Sequence, residues 1–120
     1  MEMRNFRELR IWQRSMDLAE MVYKLTDSFP KEKRFGIISQ LRRCVVSIPS
    51  NISEGAGRGT NKQFRYFLEM SMGSCNESQT QLELSFRPGY INKEVLDKIS
   101  DEAIQIYKMV LRFYNSLSDE

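Results

Sequence analysis

In the run VVSIPSNISEGAGRGT, residues 45–60, a proline interrupts an apolar stretch, Asn51 and Glu54 follow, and the glycines of GAGRG close it. These residue types can cradle a phosphate or move a proton, so their spacing decides which chemistry is open to the chain. A dinucleotide loop needs G-x-G-x-x-G directly after a strand, and a P-loop needs a lysine at a fixed offset. GAGRG has neither pattern, and no strand signal precedes it. Gly55, Gly57 and Gly59 are instead expected to stop a helix, because glycine reaches φ > 0 cheaply. Thr60, with Gln63 three residues on, is expected to cap the next helix.

Glu54 and Glu77 are the carboxylates that could form a proton-transfer pair. The chain has no histidine, the commonest general base and metal ligand. Cys44 and Cys75 are too few and too far apart for a zinc site of the usual spacing. In a reducing cytosol both are expected as thiols. A metal-carrying helix bundle wants Glu-x-x-His pairs, which this chain cannot supply. With no activated nucleophile near the carboxylates, structural roles are expected for both. No enzymatic activity, cofactor or metal site is expected.

The remaining chemistry is that of cations. Residues 1–65 carry 13 Lys/Arg against 7 Asp/Glu, and residues 66–120 carry 5 against 9. The basic half could meet a polyanion, or the acidic half of the same fold. Arg7, Arg10, Arg14, Arg42, Arg58, Lys62 and Arg65 are the candidate phosphate contacts, which would neutralise charge without reading bases. Against this, Asp17 and Glu20 lie near Arg10 and Arg14, and Glu69 lies near Arg65, as on an ordinary solvated helix face. Phe64, Phe67 and Tyr23 fall on core stripes and are read as packing residues.

These side chains must be positioned by helices. Leu9, Trp12, Met16, Ala19 and Tyr23 recur at helical spacing, as do Ile37, Leu41, Cys44, Ile48 and Ile52. Phe64, Leu68, Ser71, Cys75, Ser78 and Leu82 share one face, and Leu96, Ile99, Ala103, Ile106 and Val110 another. Asn5 with Glu8 reads as a capping box, Asn92 as an N-cap, and Pro88-Gly89 as a stop. The predicted helices cover about 6–28, 31–56, 61–87 and 93–117, in one domain spanning 1–120. No segment alternates with period two. Short connections make successive helices antiparallel, so the expected fold is all-α, an up-down-up-down four-helix bundle. The apolar arcs of the first and last helices are wider than one core requires, which suits an oligomer.

On a helical wheel Gln40, Arg43, Ser47, Asn51 and Glu54 fall within about 80° and border the apolar arc of the second helix. This stripe is expected at a helix–helix seam, partly buried. Folding the second and third segments together brings Arg43 level with Glu77, and a buried Arg43–Glu77 ion pair is expected there. Pro49 inside this helix is expected to kink it without breaking it, because the apolar arc continues across the proline.

At 120 residues, 41% apolar and 28% charged, the chain has the composition of a globular protein. It contains no apolar run of membrane-spanning length and no signal-peptide core at its start. A cytoplasmic protein is expected.

The segments QLRRCVVSIPSNISEGAGR, FRYFLEMSMGSCNES and GYI resemble the 23S rRNA intervening-sequence protein family of bacterial four-helix-bundle proteins. So does FRELRIWQRSMDLAEMVYKLTDSFP, and the likeness runs from Phe6 to Leu117. N-I-x-E-G at Asn51–Gly55 and G-S-x-x-E at Gly73–Glu77 are its more specific elements. Pro88 before GYI departs from the family pattern and implies a slightly shorter third helix. The resemblance implies a homopentamer with a channel on its axis. Some members are encoded within insertions in 23S rRNA genes. A related member is the accessory protein of diversity-generating retroelements, which binds nucleic acid and a reverse transcriptase. Two functional readings follow. One is an oligomer that binds RNA or DNA. The other is a scaffold that docks a polymerase or other protein without touching nucleic acid.

Overall fold

The computed structural model describes residues 4–118, and of Lys33, Arg34 and Phe35 the backbone alone. Four helices make up the fold: α1 (Arg10–Thr26), α2 (Ser39–Ala56), α3 (Asn61–Phe86) and α4 (Lys93–Ser116). No strand occurs among the described residues. Cys44, Ser47 and Ile48 of α2 bond to Ser78, Ser74 and Ser71 of α3. Partner numbers fall as α2 numbers rise, so the two helices are antiparallel. α4 packs on both α3 and α1, which closes the bundle.

The first helix begins later than expected. Asn5 does cap, but its Oδ1 accepts from the Arg7 amide of a separate 3₁₀ turn at Phe6–Glu8. Leu9 is extended, with φ −77° and ψ 125°, and α1 starts beyond it without a side-chain cap. The second helix is also shorter than 31–56. A 3₁₀ turn at Lys31–Lys33 and a π-helical stretch at Arg34–Ile38 precede α2. Gly36, at φ −105° and ψ −106°, breaks the helical path.

Pro49, by contrast, is buried within an unbroken α2. A proline interior to a helix removes one backbone bond. Nearby carbonyls gain donors from side chains: Ser71 Oγ donates to Ile48 O at 2.6 Å, and Asn51 Nδ2 to Ser47 O at 2.8 Å. The core around it includes Leu41, Val45, Ile48 and Ile52 of α2, packed with Leu18, Leu68, Leu82 and Ile106.

The glycines after α2 do not stop it by positive φ. Gly57, its C-cap, has φ −86°, and Gly89 is the one residue with positive φ among the described residues. Gly55 is needed for space. A Cβ there would lie 2.8 Å from both Phe64 Cδ1 and Phe67 Cβ. Thr60 Oγ1 accepts from the Gln63 amide and starts α3. At the other end, Tyr90 N donates to Ser85 O and Gly89 N to Phe86 O. With Gly89 at φ 92° this is a Schellman turn. Asn92 Oδ1 then accepts from the Val95 amide to open α4.

Candidate functional site

The polar stripe of α2 divides on folding. Its middle is a seam: Ser47 Oγ lies 2.8 Å from Ser74 Oγ, and Asn51 Nδ2 donates to both Ser47 O and Ser47 Oγ. Gln40 is half-buried, and Glu54 is exposed and paired with Arg58 at 2.8 Å. The expected buried Arg43–Glu77 ion pair is not formed. Both side chains are exposed, and no ion pair joins them among the described residues. Two serines at this level let the helices close on each other, which leaves the longer charged chains on the rim in water. Buried Ser71, Ser78 and Ser85 each donate to a backbone carbonyl, as buried hydroxyls must.

The thiols beneath the seam are unsuited to nucleophilic chemistry. Burial pushes Cys75 up to about 12, and neighbouring Cys44 adds to the shift. Burial also raises Cys44; a hydrogen bond from Ser78 opposes that, and the charge of Glu77 adds to it. No group of three or more His, Cys, Asp or Glu able to hold a metal occurs among the described residues.

The cations collect at one end. Arg4 Nη2 donates to Asn61 Oδ1 at 3.1 Å, Asn61 Nδ2 to Ser118 Oγ at 3.2 Å, and Arg65 Nη1 to Leu117 O and Ser118 O at 3.0 Å. These bonds join the start of the chain, the α2–α3 turn and the end of α4. Residues 4–17, 47–72 and 104–118 form this half, with nine Lys/Arg against four Asp/Glu, a balance of +5. The other half, 18–46 and 73–103, has nine of each. Glu2, Asp119 and Glu120 lie outside the described residues.

The seven candidate phosphate contacts do not share one fate. Arg42 lies at the far end, bonded to Thr26 Oγ1 at 2.8 Å and Asp27 Oδ1 at 2.9 Å, over the Tyr23 ring. Tyr23 is 43% exposed and so is not the core residue its stripe suggested. Arg14 is bound to Glu102 across α1 and α4. Arg65 is occupied with the carbonyls of Leu117 and Ser118, just past α4. Arg7, over the Phe6 ring, and Arg10 are exposed at the basic end. Arg58 and Lys62 remain at the mouth of a cavity of about 770 Å³ between the α2–α3 turn and the end of α4.

Arg65, Tyr66, Phe67, Glu69 and Tyr114 also line that cavity. Tyr66, which the sequence reading did not single out, is 59% exposed. Its position off the Phe64–Leu68 stripe was the available signal. No helix among the described residues is long and apolar enough to cross a membrane.

A second groove, of about 480 Å³, runs between α1 and α2 and is lined by Trp12, Met16, Tyr23, Val46 and Pro49, among others. Met70 and Leu84 are exposed on α3.

Residues 7–112 match the model of the 23S rRNA-intervening sequence protein family. A solved structure from Bacteroides thetaiotaomicron VPI-5482, described as a protein with unknown function from the S23 ribosomal protein family, is similar in fold. Its TM-score is 0.78 at 25% identity, over 88% of this chain and 99% of that one. No curated protein matches the chain.

Proposed function

The chain belongs to the 23S rRNA-intervening sequence protein family, and from that premise we propose that it is a non-enzymatic, cytoplasmic, nucleic-acid-binding accessory protein. The bundle end bearing Arg7, Arg10, Arg58 and Lys62 meets the phosphates of RNA or DNA. The observation that supports this most directly is the gathering of cations at that end among the described residues, against a balanced far half. Arg14, Arg42 and Arg65 drop out of the contact set because their guanidinium groups are half-buried and bound to groups distant in the chain, whereas Arg58 is exposed and its ion pair is with Glu54, four residues away on the surface.

The protein acts as a homo-oligomer, a pentamer on the family pattern. The α1–α2 groove and the exposed Met70 and Leu84 support self-association, since they leave apolar surface uncovered in one copy. An oligomer repeats the basic end and so multiplies a modest charge.

The test is a titration of labelled RNA and DNA at two salt concentrations. Four single-strand phosphate contacts give a log–log slope near −2.8, so raising salt fourfold weakens binding about fifty-fold. No binding at low salt removes the proposal. Light scattering on the same sample reads the assembly, expected at about five times the 14.2 kDa chain mass.

A second reading gives the α1–α2 groove to a partner in place of another copy: a polymerase, such as a reverse transcriptase, docks there through apolar contacts and the scaffold itself does not touch nucleic acid. Oligonucleotide retained only with a protein partner present would favour that reading.

A further inference from the structure

We propose that the cavity at the α2–α3 turn is a stacking site for single-stranded nucleic acid, with Tyr66 as the platform for one base and Lys62 and Arg58 as the flanking phosphate contacts. This rests on the polyanion reading above and narrows it to one class of strand.

Among the described residues Tyr66 is the most exposed of the large apolar and aromatic side chains, at 59%. Its ring meets Phe67 edge to face, with centroids 5.3 Å apart and planes at 83°. Phe67 itself is half-buried and covered by the Arg58 guanidinium, 4.8 Å from its ring centre. The cluster therefore holds one ring in place and offers a second to solvent. An exposed ring fixed at the mouth of a cationic cavity is the arrangement by which single strands are bound. Every base has a π-face, and a strand outside a duplex can turn it toward the protein. A duplex hides those faces in its own stack.

The surrounding charges set a direction. Lys62 precedes Tyr66 by four residues, about one helical turn, so both side chains leave the same face of α3, and both line the cavity. Lys62 makes no hydrogen bond or ion pair among the described residues. Glu69, on the opposite side of Tyr66, carries a carboxylate that accepts from Tyr114 OH at 2.7 Å. That carboxylate repels phosphate. The strand is thus directed over Tyr66 toward Lys62 and away from Glu69, with Arg58 exchanging its exposed Glu54 partner for phosphate.

The experiment measures fluorescence anisotropy of a labelled 12-mer single strand and the corresponding duplex, at two salt concentrations. It compares the unmodified protein with Tyr66→Ala, Tyr66→Phe and Lys62→Gln. Tyr66→Ala is expected to weaken single-strand binding about five-fold or more, leave duplex binding unchanged, and keep the salt slope. Tyr66→Phe is expected to retain binding. Lys62→Gln is expected to flatten the salt slope by about 0.7.

Equal binding of single strand and duplex, with Tyr66→Ala neutral and Lys62→Gln weakened, overturns the stacking site and leaves the polyanion reading standing. No binding of either oligonucleotide at low salt overturns both. A changed mass of Tyr66→Ala in light scattering also overturns the stacking site, because it places the ring in a contact between copies.

Discussion

Ser47 of α2 and Ser74 of α3 share a hydrogen bond of 2.8 Å at mid-bundle. The pair has two consequences. Small side chains at the same level allow the backbones to approach, and their hydroxyls satisfy each other inside the seam. Charged residues at nearly the same height, Arg43 and Glu77, are displaced to the rim.

Arg43→Ala and Glu77→Ala are therefore each expected to change stability by no more than about 0.5 kcal/mol, as surface substitutions do. Thermal or urea unfolding reads this directly. A loss of about 3–5 kcal/mol from either would mark a half-broken buried pair and contradict the exposed placement.

Gly55→Ala is expected to cost about 1–3 kcal/mol by overpacking. The added methyl would meet Phe67 Cβ at 2.8 Å, an atom fixed to its own backbone. Gly57→Ala, whose nearest neighbour would be Glu54 O at 3.6 Å, serves as the control and is expected to unfold close to the unmodified protein. Equal melting temperatures for the two variants would show that helices α2 and α3 do not need the close approach.

Arg65→Ala is expected to loosen the end of α4. Its guanidinium donates to the carbonyls of Leu117, the C-cap residue, and of Ser118 just beyond it, and so holds the chain where it leaves the helix. Loss of this cap should cost about 0.5–2 kcal/mol, in the range of other helix caps. Faster amide exchange should appear in the last turn of α4. Unchanged exchange there would remove the capping role.

Cys75 links stability to alkaline pH. Its thiol is held at about 12 against an ordinary value of 9.0, so the fold favours the neutral form. The contribution is full below pH 9 and is lost as pH rises from 9 towards 12. Unfolding midpoints measured across that window are expected to fall less steeply for Cys75→Ala than for the unmodified protein. Parallel curves would show that the buried thiol does not titrate with folding.

Much of the architecture was legible before any coordinates. The apolar rows at three- and four-residue spacing located the four helices. Thr60 and Asn92 set the starts of α3 and α4 by local hydrogen bonds that a sequence pattern can encode. Pro49 was expected to bend α2 without breaking it, and α2 runs through it unbroken, with side-chain donors from Ser71 and Asn51 nearby. The helix expected over 31–56 breaks instead at Gly36. Local propensity is overridden when packing surrounds a residue and prevails when nothing does; a Cβ at Gly36 would meet no atom within 4 Å.

The candidate site was less legible. The list of cations was correct as a list of charges but silent on their company. Arg42 stacks on Tyr23 and Arg14 binds Glu102, partners sixteen or more residues away in the chain or on another helix. Tyr66 was overlooked because neighbouring Phe64 and Leu68 carry the periodic signal, and a ring beside that stripe reads as more of the same.

What the sequence determined by itself is helix content, order and polarity of each face, because these depend on contacts within a few residues along the chain. Only the tertiary structure decided which charges are spent inside the fold, that Gly55 is needed for space, and that the start, middle and end of the chain pool their cations at one end. Those outcomes depend on distances between residues that meet only after the helices pack, and no periodicity records them.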